Sequence, residues 1–281
     1  MFGKNEIVGK SYFKDQADNT LLVTSRFLTL QGEGPYRGER AFFVRLAKCQ
    51  LSCSFCDTYF DSGDSLTFDQ VIDHYSKLAT SKKIPGKIVI TPTGLVVTGG
   101  EPSLQPNLGK FLEAATPIFA WTQIESNGIL LANVPDSTTY VVSPKCVEKD
   151  GVAIKYLEPN KDVLNRADCL KFVMSAPTDK YSPYSEVPQW AHEWQNRTGK
   201  QIFVSPMNIY LSEPKKSKQL RAAKNDITID DRSMTDEKIS FWEEGLLDMK
   251  ANQLNHEYTA QYCLDHGFIF NMQLHLFASM A

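Results

Sequence analysis

Residues 47–60 read AKCQLSCSFCDTYF and carry three cysteines as Cys49-x3-Cys53-x2-Cys56. Three thiolates this close together can hold three corners of a cubic [4Fe–4S] cluster and leave the fourth iron open. An open iron is what reductive cleavage of S-adenosylmethionine (SAM) into a radical requires. Two other readings compete. A structural zinc site takes four Cys or His ligands, usually in paired spacing. The chain has no second CxxC, and His74, His192, His256, His266 and His275 stand far from the thiols in sequence. A disulfide would leave one thiol over and suits an oxidising compartment. Cys146, Cys169 and Cys263 are isolated and read as small buried apolar residues.

The elements that must position these thiols follow from the pattern of apolar residues. Residues 41–47 (AFFVRLA) form a β-rich apolar run that delivers the chain into the cysteine loop. Residues 67–80 place Phe68, Val71, Ile72, Tyr75 and Leu78 at helical spacing. Residues 87–98 hold two β-rich pieces, IVIT and LVVT, before Gly99-Gly100 breaks the strand. A helix is expected over 105–119, near Pro102 and Pro106. Strands are expected over 120–125, 138–143, 169–174 and 201–205, and a helix over 187–197. Strands alternating with helices predict an α/β fold with a parallel sheet, here a partial (β/α)6 barrel with a helical C-terminal insertion. Such folds carry their chemistry at the carboxyl ends of the strands. Five motifs fall there: the cysteine loop, Gly99-Gly100-Glu101-Pro102, Ser126-Asn127-Gly128, Ser143-Pro144-Lys145 and Ser205-Pro206-Met207.

A chain of 281 residues with 42% hydrophobic content supports one large domain. The expected core spans about 20–207, followed by a polar helical insertion over 208–265 and a returning segment, 266–281, whose strand over 268–276 brings His275 to the core. Net charge is −3, too small to draw the protein to nucleic acid. No apolar run is long enough to span a membrane, and the first residues lack a signal-peptide core, so a cytoplasmic location is expected.

The cysteine spacing with Gly99-Gly100-Glu101-Pro102 resembles the radical SAM superfamily. Leu30-Gln31-Gly32-Glu33-Gly34, Gly38, Phe43-Val44-Arg45-Leu46 and Cys56-Asp57-Thr58 narrow the likeness to the 7-carboxy-7-deazaguanine synthase family. The resemblance runs from about residue 28 to 207, with an echo at the C-terminus. It implies conversion of 6-carboxy-5,6,7,8-tetrahydropterin to 7-carboxy-7-deazaguanine with loss of ammonia, on the route to queuosine-type 7-deazapurines. A 5′-deoxyadenosyl radical would abstract hydrogen from the pterin. The implied cofactors are a [4Fe–4S] cluster, catalytic SAM and Mg2+. The implied partners are a flavodoxin or ferredoxin as electron donor and a second copy in a homodimer, with no nucleic acid and no membrane.

Residue by residue, the resemblance assigns the cluster to Cys49, Cys53 and Cys56 and the magnesium to Thr58. It assigns SAM to Phe55, Asp57, Gly99, Gly100, Glu101, Ser126, Asn127, Ser143, Pro144, Lys145, Ser205, Pro206 and Met207. Leu30, Gln31, Gly32, Glu33, Arg45, Thr98 and His275 are left to the substrate. Gln31 and Glu33 suit the amide and amino hydrogens of a pterin edge, and Arg45 suits a carboxylate. The glycines would let backbone approach the SAM amino group. Three departures stand out: Lys48 in place of a usual glycine, Gln50 in place of a usual asparagine, and no lysine after His275. Two rivals remain: a radical SAM activating enzyme acting on a protein partner, and a non-enzymatic zinc or iron–sulfur module.

Overall fold

The computed structural model describes residues 6–80, 91–212 and 240–280. The IVIT piece lies mostly outside the described residues. The strands are β1 (Thr20–Leu30), β2 (Arg40–Leu46), β3 (Asp64–Thr67), β4 (Gly94–Gly99), β5 (Thr122–Ser126), β6 (Thr138–Val142), β7 (Cys146–Lys149), β8 (Val152–Tyr156), β9 (Cys169–Met174), β10 (Ile202–Pro206) and β11 (Ile269–Phe270). The helices are α1 (Phe68–Thr80), α2 (Leu108–Ala115), α3 (Lys161–Arg166), α4 (Gln189–Thr198), α5 (Met249–His266) and α6 (Leu274–Phe277).

Nine strands form one sheet in the order β11-β10-β9-β6-β5-β4-β2-β1-β3, and β7 and β8 form a separate hairpin. From β2 to β11 every pairing is parallel. β1 turns antiparallel between β2 and β3. Among the described residues the sheet is open, with β3 and β11 at its edges. The central strands are buried on both faces: Leu95, Val96 and Val97 of β4 and Tyr140, Val141 and Val142 of β6 are fully buried. Parallel sheets covered on both sides favour such continuous apolar runs. One face packs on α1, α2 and α4 through Phe42, Phe111, Phe172 and Trp194. No helix among the described residues is long and apolar enough to cross a membrane.

The structure departs from the expected elements at four places. β1, β3 and the β7–β8 hairpin were not foreseen. The helix over 105–119 is shorter, because Pro102–Leu104 forms a 3-10 turn before α2 begins. The last segment is not a single strand: β11 is two residues long, and His275 sits on the short helix α6. The region taken for a solvated insertion contains α5, which packs against β10 and β11. Asn252, Asn255, Thr259 and Cys263 of α5 are buried. Asn252 Oδ1 accepts the Ile209 N–H at 2.6 Å, and Asn255 Oδ1 accepts the Ala176 N–H at 2.9 Å. Asn255 Nδ2 donates to the Met207 carbonyl at 2.8 Å. The helix is thus tied to the loops after β9 and β10 by hydrogen bonds rather than by an apolar stripe.

Candidate active site

The chain leaves β2 at Leu46 and turns through Lys48, whose φ of 72° lies in the left-handed region. Few non-glycine residues adopt that conformation, and the glycine that the resemblance led us to expect here would adopt it freely. The turn is held by backbone bonds from Lys48 N to Phe60 O (2.7 Å) and from Glu101 N to Lys48 O (2.8 Å). Gly100 N donates to Leu46 O at 2.7 Å. A Cβ on Gly100 would collide with the Lys48 carbonyl, and Gly99 has φ 111° with its Cβ position blocked by the Leu46 backbone. The close approach these glycines permit is therefore to the root of the cysteine loop. Further along, Ser54 N donates to Glu148 Oε2 at 2.9 Å, and the Ser54 hydroxyl meets Tyr181 OH at 3.2 Å. Glu148 of the β7–β8 hairpin and Tyr181 beyond it thus clamp the stretch between Cys53 and Cys56.

The three thiols are free and line one cavity. Burial pushes Cys49 up to about 12 and Cys56 up to about 11, and it raises Cys53 as well. Thiols in such a site ionise only when a cation compensates them, and a bound metal does this outright. N–H groups already face one sulfur: Leu51 N lies 3.4 Å and Asn127 Nδ2 3.9 Å from Cys49 Sγ. Among the described residues no three His, Cys, Asp or Glu side chains converge on a single ion. In a polynuclear cluster each thiolate binds its own iron, so the three free sulfurs fit a [4Fe–4S] group. Lys145 Nζ donates to the Ser143 carbonyl (2.7 Å) and hydroxyl (2.5 Å). Burial lowers its pKa, and the Cys53 sulfur opposes that fall.

Glu101 is buried and accepts four hydrogen bonds. Its Oε1 receives Ser103 N (2.9 Å), Ser103 Oγ (2.6 Å) and Ser126 Oγ (2.8 Å), and its Oε2 receives Asn127 N (2.8 Å). Burial raises its pKa against these bonds. Glu101 therefore ties the end of β4 to the end of β5. Phe55 packs edge-on against Tyr184, with ring centroids 5.2 Å apart.

The other side of the cavity is polar. Lys171 of β9 donates to Glu33 Oε2 at 3.1 Å and to Glu125 Oε2 at 2.6 Å. Ser205 Oγ donates to Glu33 Oε1 at 2.8 Å. Gln31 and Gln123 each donate to Glu125 Oε1 at 3.1 Å. Burial pushes the Glu33 carboxyl up, but Lys171 and Ser205 outweigh it and leave the value below the usual range. Burial likewise works against the Lys171 ammonium, and the two carboxylates hold its value well above normal. Arg45 Nη1 donates to Thr58 Oγ1 at 2.9 Å, and Thr58 Oγ1 donates to Asp57 Oδ1 at 3.0 Å. Arg45 Nε is buried with no hydrogen-bond partner among the described residues. His275 reaches in from α6 and packs so tightly on Gly32 that a Cβ there would lie 2.7 Å from Nδ1. Burial lowers the His275 pKa, against the pull of Asp57 and Glu33.

One cavity of about 240 Å3 brings nearly all of the expected residues together. Pro144 and Met207 do not line it; Met207 packs with Cys146, Tyr181 and Tyr184 instead. Cys146, Cys169 and Cys263 are buried in the core clusters. Sequence reasoning missed Glu125, Lys171 and Tyr210, which also line the cavity. The signal for the first two was a charged residue alternating with apolar neighbours inside a short strand, TQIES or CLKFVM.

A parallel α/β sheet with a three-cysteine loop at one strand end and a Gly-Gly-Glu-Pro turn at the next has the layout of a radical SAM enzyme. No protein-family model matches the chain. The 7-carboxy-7-deazaguanine synthase of Rickettsia prowazekii (strain Madrid E) is 34% identical over 193 residues, covering 69% of this chain and 77% of the relative. The synthase of the same name from Hyperthermus butylicus is 36% identical over 144 residues, covering 48% and 56%. The crystal structure of QueE from Escherichia coli has the same fold, with a TM-score of 0.56 over 95% of this chain and 99% of that one, at 18% identity. The chain belongs to the 7-carboxy-7-deazaguanine synthase family.

Proposed function

We propose that this enzyme converts 6-carboxy-5,6,7,8-tetrahydropterin into 7-carboxy-7-deazaguanine and ammonia, feeding queuosine-type 7-deazapurine synthesis. One observation carries the reading: three free thiols face Glu33, Lys171, Glu125 and Arg45 within a single cavity. A [4Fe–4S] cluster with one open iron would supply, when bound, the electron that cleaves SAM and so drives hydrogen abstraction from the pterin.

The chain's own residues bind, orient and shield. Cys49, Cys53 and Cys56 would hold the cluster, and the Leu51 and Asn127 N–H groups would donate to its sulfur. Lys145, with Ser143, offers an ammonium to the SAM carboxylate, and Asn127 and Ser126 offer polar groups to its ribose. Glu101 acts on SAM through the strand ends it ties together. Glu33 and Gln31 would accept and direct the N–H edge of the pterin. The unpartnered Arg45 Nε leaves a donor for the substrate carboxylate. Thr98 and His275 close the same wall. Thr58 Oγ1 is a hard oxygen donor beside the Asp57 carboxylate, which suits Mg2+. The Phe27, Phe43 and Phe60 lining excludes water from a radical reaction.

We further infer that the open sheet curves as a partial (β/α)6 barrel, that the chain works as a cytoplasmic homodimer, and that a flavodoxin or ferredoxin reduces it. The test is anaerobic purification, with about four irons per chain expected, followed by assay with SAM, dithionite, Mg2+ and authentic pterin. Deazaguanine detected by mass spectrometry supports the reading. SAM cleavage without that product sinks it and favours an activating enzyme.

A further inference from the structure

We propose that Lys171 is a positioning residue: it holds Glu33 and Glu125 as a matched pair of carboxylate acceptors turned toward one edge of the substrate. The inference rests on the reading of the site given above. The three groups come from distant parts of the chain, the loop after β1, the end of β5 and the middle of β9. The Lys171 side chain is only 6% exposed. Its neighbours Leu170 and Phe172 point into the main core, while Lys171 and Val173 face the cavity. A lysine in the centre of a buried parallel strand costs solvation and gives nothing to apolar packing.

The contacts make the role specific. One oxygen of each carboxylate is bound by the same ammonium, Glu33 Oε2 at 3.1 Å and Glu125 Oε2 at 2.6 Å. Among the described residues the other oxygens meet donors: Ser205 (2.8 Å) and Asn271 (3.4 Å) on Glu33 Oε1, and Gln31 and Gln123 on Glu125 Oε1. Each carboxylate oxygen can accept more than one hydrogen bond, so capacity remains for a ligand. A pterin presents amide and amino hydrogens along its pyrimidine edge and needs acceptors there. Lys145 and His275 also act on the pair, but Lys145 is bonded to Ser143 and not to either carboxylate; without the direct Lys171 contact two neighbouring buried carboxylates would share a proton. That proton would turn one acceptor into a donor and set it against the ligand's N–H. Lys171 prevents this and also fixes the spacing of the pair.

The test uses anaerobic, cluster-loaded protein with SAM bound. Titration calorimetry measures binding of 6-carboxy-tetrahydropterin to wild type, Lys171→Met and Lys171→Arg. Infrared difference spectra, recorded without substrate, look for a protonated carboxyl group. Loss of a charge-assisted acceptor should weaken Lys171→Met binding about 100-fold. A protonated-carboxyl band absent from wild type should appear, and should vanish on adding Glu33→Gln or Glu125→Gln. Lys171→Arg keeps the charge and two donors, so it should bind within about tenfold of wild type and show no band. Wild-type affinity in Lys171→Met, or no band in that variant, overturns the proposal. Should Lys171→Met fail to fold, a folded Lys171→Arg that has lost binding overturns it equally. A wild type that does not bind the pterin refutes the reading of the site instead, and the infrared result stands apart from it.

Discussion

Replacing Gly100 by alanine separates two explanations of the Gly-Gly-Glu-Pro turn. The added methyl would collide with the Lys48 carbonyl, a backbone atom that cannot swing aside. Relief requires the turn after β4 to move away from the exit of β2. That movement stretches Gly100 N to Leu46 O (2.7 Å) and Glu101 N to Lys48 O (2.8 Å). Overpacking costs about 1–3 kcal/mol, and two weakened backbone bonds add about 1 kcal/mol each. The sum is about 3–5 kcal/mol. For a chain of 281 residues that corresponds to a melting temperature lower by about 5–8 °C. Because Lys48 adjoins Cys49, the variant should also lose iron. The assay is thermal unfolding of the apo-protein beside iron content after anaerobic reconstitution. A Gly100→Ala protein with wild-type melting and full iron, but weakened SAM binding, would refute the loop-packing account and return the glycine to the cofactor.

Cys53→Ala should drop iron to background and abolish SAM cleavage, as iron analysis and product chromatography will register. Thr58→Ala should keep the cluster and SAM cleavage while losing magnesium stimulation of product formation; undiminished stimulation would remove the metal from Thr58. Glu33, held below its ordinary value of 4.5 by Lys171 and Ser205 against burial, contributes stability that is present above pH 4.5 and lost as pH falls through its lowered folded value. The melting gap between wild type and Glu33→Gln should therefore be full at pH 7 and shrink below pH 4.5, and a gap that widens in acid would contradict that sign.

Much of the site was legible because its residues sit at strand ends, where a short apolar run followed by a polar or glycine-rich turn is easy to see. AFFVRLA before the cysteines and LVVT before Gly99 are of this kind. α5 was legible as a helix but its burial was not, because its buried stripe is Asn252, Asn255, Thr259 and Cys263. The spacing is helical but the residue types are polar, so a hydrophobicity pattern reads a surface helix. β1 was overlooked for a related reason: Thr24, Ser25, Arg26 and Thr29 interrupt its apolar pattern yet are buried. Lys171 and Glu125 escaped because their meaning is mutual. Each alone reads as an odd residue in a strand, and only β-sheet order brings them together.

The last structured stretch of the chain completes a pocket begun near the first. Asn271 Oδ1 accepts the Gly34 N–H at 3.1 Å, Arg37 Nη1 donates to the Phe270 carbonyl at 3.1 Å, and Leu274 N donates to Gly32 O at 3.3 Å. A ribosome makes these partners at opposite times, and folding during synthesis starts from the early end. A nascent chain could therefore lay down the cysteine loop and most of the sheet while the Glu33 side of the cavity still stood open. Only when β11 and α6 emerge would that side close, so competence for substrate should mature last.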